Sequence, residues 1–260
     1  MKKMFLLSSA FASVMMLTSA AKAADMVAPV ADDWTGFYVG VQGGYAWSHL
    51  NGDVSIPDSS NINNEARGLA EDVLSDGIDA SSFLGGATVG ANYQVNSWVI
   101  GVEGDLSFLG LDEERSDSAV DGKKATGTDH LEGDVFATMR LRAGWVAGNT
   151  LLYVTGGMAY TDAEVSRTLD WSFSDGCPPA GGGLQRCHSG SEEFGMGWTV
   201  GGGVEHAFNE SWSVKAEYLY ADFGEIDFET FNRGAVKDQN MTHEFDLNMH
   251  VIRAGLNYRF

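Results

Sequence analysis

The chain has 260 residues, of which 16 are basic and 36 acidic, giving a net charge of −20. That balance argues against nucleic acid as a partner, because binding there depends on neutralising phosphates. Beyond the first residues no apolar stretch is long enough for a membrane helix, which sets aside a helical membrane protein but not a barrel, whose strands need only about 10 residues each.

In chain order, Lys2 and Lys3 precede an apolar run from Met4 to Leu17 and then Ala21-Lys22-Ala23. This reads as a signal peptide, residues 1–23, cut after Ala23. Its removal takes three lysines and no acids, so the mature charge is 13 − 36 = −23. Residues 24–35 follow as a short periplasmic leader with Pro29.

Eight segments then alternate with period two, the mark of strands. They run Gly36 to Ser48, Phe83 to Gln94, Trp98 to Phe108, Gly133 to Val146, Leu151 to Asp162, Gly195 to Phe208, Trp212 to Asp222 and Asp246 to Phe260. In the last, Ile252, Ala254, Leu256, Tyr258 and Phe260 share one face, and Arg253, Gly255, Asn257 and Arg259 the other. Three links are short turns: Val95-Asn96-Ser97, Ala147 to Thr150, and Asn209-Glu210-Ser211. The other four, near Asn51 to Ser82, Leu109 to Glu132, Ala163 to Phe194 and Phe223 to Phe245, read as long loops. Short turns on one rim and long loops on the other is the pattern of an outer-membrane barrel. The predicted fold is therefore all-β, an eight-stranded antiparallel transmembrane up-and-down barrel over 36–260, with four long extracellular loops. Outward aromatics form two expected girdles: Trp98, Trp145, Phe208 and Trp212 beside the turns, and Tyr45, Trp47, Phe108, Tyr160 and Tyr220 toward the loops.

The inward positions collect charge: Glu103, Asp105, Asp134, Arg140, Arg142, Glu205, Lys215, Glu217, Arg253 and Arg259. Eight strands enclose a lumen just wide enough for its own side chains. A self-paired polar core is the expectation, with Glu103, Asp105, Arg140, Arg142, Glu205, Lys215, Glu217 and Arg253 as the charge network. A narrow pore is the alternative. Acids in the first two loops, among them Asp72, Asp76, Asp112, Glu113 and Glu114, read as solvated loop residues.

Cys177 and Cys187 in an exported chain are expected to form one disulfide that stiffens a loop, the other readings being free thiols or a metal pair. His49, His130, His188 and His243 fall near the long-loop rim, and loop imidazoles are candidate haem ligands. No GxSxG, HExxH or P-loop pattern is present, and the expectation is a non-enzyme with no resident cofactor or metal.

Four segments resemble the porin-family outer-membrane proteins of alphaproteobacteria, which have an OmpA-like eight-stranded barrel. Trp34-Thr35-Gly36-Phe37-Tyr38-Val39-Gly40 is similar to their entry strand, and Gly197-Trp198-Thr199-Val200-Gly201-Gly202-Gly203-Val204-Glu205 to their sixth. Trp212-Ser213-Val214-Lys215-Ala216-Glu217-Tyr218-Leu219-Tyr220 is similar to the seventh, and Val251 to Phe260 to the last. The resemblance implies a surface-exposed outer-membrane protein that contributes to envelope integrity. Some relatives are haemin-binding, others structural proteins or antigens. Implied partners are outer-membrane lipid and lipopolysaccharide, the barrel insertion machinery (with Tyr258 and Phe260 as its signal), and haemin or a host surface ligand.

Overall fold

The computed structural model describes residues 33–55, 78–120, 124–172, 186–232 and 241–260. The expected signal peptide and most of the expected leader lie outside the described residues. The strands are β1 (Gly36–Ser55), β2 (Ile78–Val95), β3 (Trp98–Val120), β4 (Lys124–Ala147), β5 (Thr150–Thr161), β6 (Glu164–Ser172), β7 (Arg186–Glu193), β8 (Met196–Ala207), β9 (Trp212–Asn232) and β10 (Met241–Arg259). Short breaks at Asp162-Ala163 and Phe194-Gly195 divide two staves: β4 pairs with both β5 and β6, and β9 with both β8 and β7. Every pairing is antiparallel, and β10 meets both β9 and β1. The result is a closed ring of eight staves in chain order.

Three tight connections hold the lower rim. Asn96 takes a left-handed φ of 56° and Gly148 one of 61°, residues that tolerate that region. In the third, Asn209 Oδ1 accepts the N–H groups of Ser211 and Trp212, both at 2.9 Å, an Asx turn. Ring closure is equally specific: Tyr38 pairs with Arg259, and the Phe260 N–H donates to the Phe37 carbonyl at 3.0 Å.

The lower staves carry their apolar side chains outward. Val39, Val41, Val89, Ile100, Val102, Leu141, Val154, Val200 and Leu256 are exposed, and Phe260 is 77 % exposed. This band suits lipid tails and not water. Aromatics bound it: Trp212 meets Tyr258 and Tyr258 meets Phe260 edge-on near the turns, while Tyr45–Phe83 and Trp198–Tyr220 contacts lie toward the opposite rim.

Higher up, the faces exchange character. On β10 the inward residues change from Arg253 and Asn257 to Val251, Met249, Leu247 and Phe245, all buried, while Glu244 is exposed. On β3 the inward sequence passes from Glu103, Asp105 and Ser107 to Leu109 and Leu111, with Asp112 and Glu114 exposed. Above the belt the wall is thus apolar within and acidic without, as a water-soluble barrel would be.

This corrects the expected boundaries. Much of the last three predicted long loops is strand: Leu109 to Val120, Lys124 to Glu132, Glu164 to Ser172 and Phe223 to Asn232 all belong to the wall. Acids such as Asp112, Glu113 and Glu114 are strand residues and not loop residues. All three are exposed, beyond the inward Leu109 and Leu111. Asp134, expected inward, is exposed. The reason is a bulge: pairing jumps from Phe108↔Val135 to Leu111↔Gly133, which shifts the parity of β4 by one residue.

That bulge is pinned by Asp162, whose Oδ1 accepts the N–H groups of Asp134 at 3.0 Å and Val135 at 2.8 Å. Asp162→Ala should destabilise the barrel by about 1.5–3 kcal/mol, the range for hydrogen bonds to a charged acceptor. Asp162→Asn, which keeps an acceptor, should retain most of that. Denaturation midpoints in detergent check this, and equal loss in both variants would contradict it.

Candidate functional site

The lumen fills in three layers. At the turn-side mouth Trp34 is buried against Val99, Leu151, Tyr153 and Ala207. Its backbone N–H donates to Gln94 Oε1 at 2.8 Å, and the Arg259 guanidinium sits 4.5 Å from its ring centre. Arg259 also donates to the Asn209 carbonyl at 3.1 Å. The last residue before β1 but one is therefore part of the barrel core, and the expected leader ends before Trp34.

The middle layer is charged. Glu103 and Asp105 come from β3, Arg140 and Arg142 from β4, Glu205 from β8, Lys215 and Glu217 from β9, and Arg253 from β10. Each points inward because it shares the parity opposite the lipid-facing residues of its strand. All eight are buried. Arg140 donates to Glu217 at 3.0 Å, Asp105 at 2.9 Å and Thr138 at 2.8 Å, and it also contacts Glu103. Arg253 spans Glu217 at 2.7 Å and Asp105 at 2.8 Å. Lys215 Nζ reaches both Glu103 oxygens, at 3.1 and 3.0 Å. Arg142 donates to Glu205 at 2.8 Å and stacks 4.1 Å from the Tyr153 ring centre. Four carboxylates thus face four cations, so the layer is neutral although the chain is strongly acidic.

Two tyrosines complete this layer. Tyr38 donates to Glu103 at 2.7 Å and accepts from Arg142 at 3.0 Å; Tyr153 donates to Glu217 at 3.0 Å. Each lies over a glycine on the neighbouring strand. A Cβ at Gly90 would come within 2.3 Å of the Tyr38 ring, and one at Gly203 within 2.7 Å of the Tyr153 hydroxyl. Period two places both tyrosines inward as it does the charges, but the charges alone were taken as the network. The glycines opposite them were a further signal.

The upper layer is the apolar plug, which includes Leu50, Leu84, Leu111, Leu131, Phe136, Val165, Phe194, Phe223, Phe245 and Leu247. It was missed at sequence level because the inward face was read as polar throughout. Groups outside the belt are perturbed in two places. Hydrogen bonds from the Thr35 side chain and backbone hold the Asp33 carboxyl below its usual range. Burial, reinforced by the Asp222 charge, raises that of Asp246.

The four candidate haem histidines lie in strands and not in loops: His49 in β1, His130 in β4, His188 in β7 and His243 in β10. His49 is paired with Asp79, and His130 lies 3.2 Å from Glu132. His49 pairs with Asn248, five residues along β10 from His243, a separation of about 17 Å at strand spacing. β4 and β7 are reached only across further strands. The register does not bring these four residues together. Among the described residues no cluster of His, Cys, Asp or Glu is arranged to hold a metal ion. Cys177 lies outside the described residues, so the expected bridge to Cys187 is not addressed by this geometry.

The family model for the outer membrane protein beta-barrel domain matches residues 9–260. The 31 kDa outer-membrane immunogenic protein of Brucella melitensis biotype 1 is 32% identical over 262 residues, covering 94% of this chain and 95% of that protein. The 22 kDa outer membrane protein of Rhizobium leguminosarum bv. viciae is 27% identical, covering 80% of this chain and 75% of that one. Among solved structures, Neisserial surface protein A aligns at 14% identity with a TM-score of 0.34, covering 87% of this chain and 98% of that chain.

Proposed function

We propose, for a chain that belongs to the outer membrane protein beta-barrel domain family, a passive structural and surface-interaction role in the outer membrane where that family resides. The observation that carries this reading is the filled lumen. An aromatic-capped mouth, a neutral salt-bridge layer and an apolar plug follow one another along the axis. Among the described residues the lumen is filled along its axis, and the charged groups that could do chemistry are turned toward each other. What remains to meet other molecules is the outside: an apolar belt for lipid and an acidic wall above it. Relatives named as outer-membrane immunogenic proteins support reading that wall as an antigenic surface.

The parts then have separate duties. The belt anchors the protein in lipid and against lipopolysaccharide, the salt-bridge layer stiffens it, and the wall contributes surface contacts. Tyr258 and Phe260, packed edge-on at the open end of β10, are the proposed signal for the insertion machinery. The charges have no catalytic duty in this reading. A haemin receptor built on His49, His130, His188 and His243 is the weaker alternative, because their strands hold them apart.

Orientation is the testable core. In a background with Cys177 and Cys187 replaced by serine, Asp134→Cys places a thiol on the exposed upper wall and Glu210→Cys one in a short turn. A membrane-impermeant maleimide on intact cells should label the first and spare the second until lysis. Labelling of Glu210→Cys on intact cells would invert the barrel and end this reading.

A further inference from the structure

Above the belt the ring is not zipped all the way round. β2 and β3 pair from Val95↔Trp98 only as far as Leu84↔Leu109. Beyond that point β2 continues to Ile78 against β1 alone, and β3 continues to Val120 against β4 alone. On the opposite side, β8 leaves β9 at Trp198↔Asp222, and β7 regains it only at Ser189↔Phe231 and His188↔Asn232. The upper wall is therefore two four-stranded leaves, β9-β10-β1-β2 and β3-β4-β6-β7, joined through the two β7–β9 pairs and parted along the β2–β3 seam. Leu50, Ala80 and Phe245 from one leaf join Leu111, Leu131 and Val165 from the other in one apolar cluster.

Where the ladder parts, strand edges are left without a ladder partner among the described residues. The longest is β3 from Gly110 to Val120, which among the described residues has no ladder partner on its β2 side. At its foot the Gly110 N–H is met by the Ser82 hydroxyl at 3.1 Å, a side chain where a strand would offer a carbonyl. At about 3.3 Å per residue this edge is long enough for a ten-residue strand. Unpaired edges template pairing with other chains, and proteins restrain that with charge. Here Asp112, Glu113 and Glu114 are exposed, Asp117 follows, and Arg115 is the one base between Gly110 and Val120. Asp79, exposed, stands on the facing β2 stretch.

That charge selects an occupant. A second copy would set acids against acids, which is unfavourable for directly opposed strand residues. The preceding segment of this chain, 56–77, carries Asp58, Glu65, Glu71, Asp72 and Asp76 against Arg67, a charge that does not complement the edge. A cationic extended segment gains both the backbone ladder and the charge. We propose that the free edge of β3, Gly110–Val120, faced by β2 at Ile78–Phe83, is a docking edge for a cationic peptide bound as an added β-strand. This goes beyond the surface-interaction role and rests on it only for the edge lying outside the cell.

The test uses full-length mature protein in detergent and a fluorescent (Lys-Val)5 peptide. A second peptide of equal charge carries N-methyl groups on alternate residues, so that it cannot complete a ladder. Anisotropy titrations should give saturable binding of the first and at least tenfold weaker binding of the second. Asp112→Lys with Glu114→Lys should weaken the first at least tenfold, with heat-modified gel mobility confirming that the variant is folded. Equal binding of the two peptides would reduce the site to bare charge and overturn the proposal. So would no binding, or full binding by the folded double variant. Removing residues 58–76 should leave binding within twofold; a rise above tenfold would show that the chain's own segment occupies the edge and would likewise overturn it. These outcomes leave the cell-surface labelling result untouched, so the two readings fail separately.

Discussion

Arg140→Ala is expected to destabilise the folded barrel by about 3–5 kcal/mol, the range for removing one partner of a buried ion pair. Arg140 is 1 % exposed and its guanidinium serves Glu103, Asp105 and Glu217 at once. Truncation leaves four carboxylates facing three cations in a layer without water access. Arg253 still holds Asp105 and Glu217, and Lys215 still holds Glu103, so the cost is one uncompensated charge and not collapse of the network. Arg140→Lys keeps the charge but loses the forked geometry, and should fall between. The exposed control Glu225→Ala should stay within about 0.5 kcal/mol of the parent. Unfolding midpoints by urea in detergent, read from heat-modified gel mobility, would distinguish these. A midpoint unchanged in Arg140→Ala would mean that the layer does not act as a paired core.

Trp34→Ala should cost a similar amount, about 3–5 kcal/mol, by the cavity argument for a buried tryptophan. Trp34 is 1 % exposed and packs on Leu151 and Val99. Its loss also removes the surface on which Arg259 stacks. Arg259 belongs to the closing strand, so the variant loosens the mouth where β1 and β10 meet. Trp34→Phe should restore more than half of the loss, because it refills the cavity and keeps an aromatic face. If Trp34→Ala were as stable as Trp34→Phe, the ring would be a bystander at the mouth.

The membrane-spanning half of this fold is plain in the sequence because there two signals coincide. Outward residues from Ile252 to Phe260 are apolar, inward ones are polar, and period two separates them without ambiguity. The same parity picks out Glu103, Arg140, Lys215, Glu217 and Arg253, whose strands then bring them within hydrogen-bonding distance. Above the belt the signals diverge. Leu109 and Leu111 keep the alternation, but three acids follow directly, so a reading tuned to apolar-out strands takes Asp112 to Glu114 for a loop. Asp134 was misplaced because a one-residue bulge inverts every face beyond it, and nothing local in Gly133-Asp134-Val135 announces that. The bulge becomes intelligible only with Asp162, 28 residues from Asp134, whose carboxylate accepts the two freed N–H groups. Trp34 was legible as a residue of the entry motif but not as a plug, since its partners Gln94, Leu151 and Arg259 are assembled by closure. The four rim histidines lie on four different strands, β1, β4, β7 and β10, a distribution that period-two reading alone does not reveal.

The central claim is that this barrel is closed along its axis and acts through its outer wall. Planar-bilayer recording of the refolded mature protein tests it most directly. Three filled layers predict no discrete conductance steps above background in the parent, at moderate salt and voltages of either sign. Regular single-channel steps in the parent, of constant size and scaling with salt concentration, would show a continuous aqueous path and contradict the account.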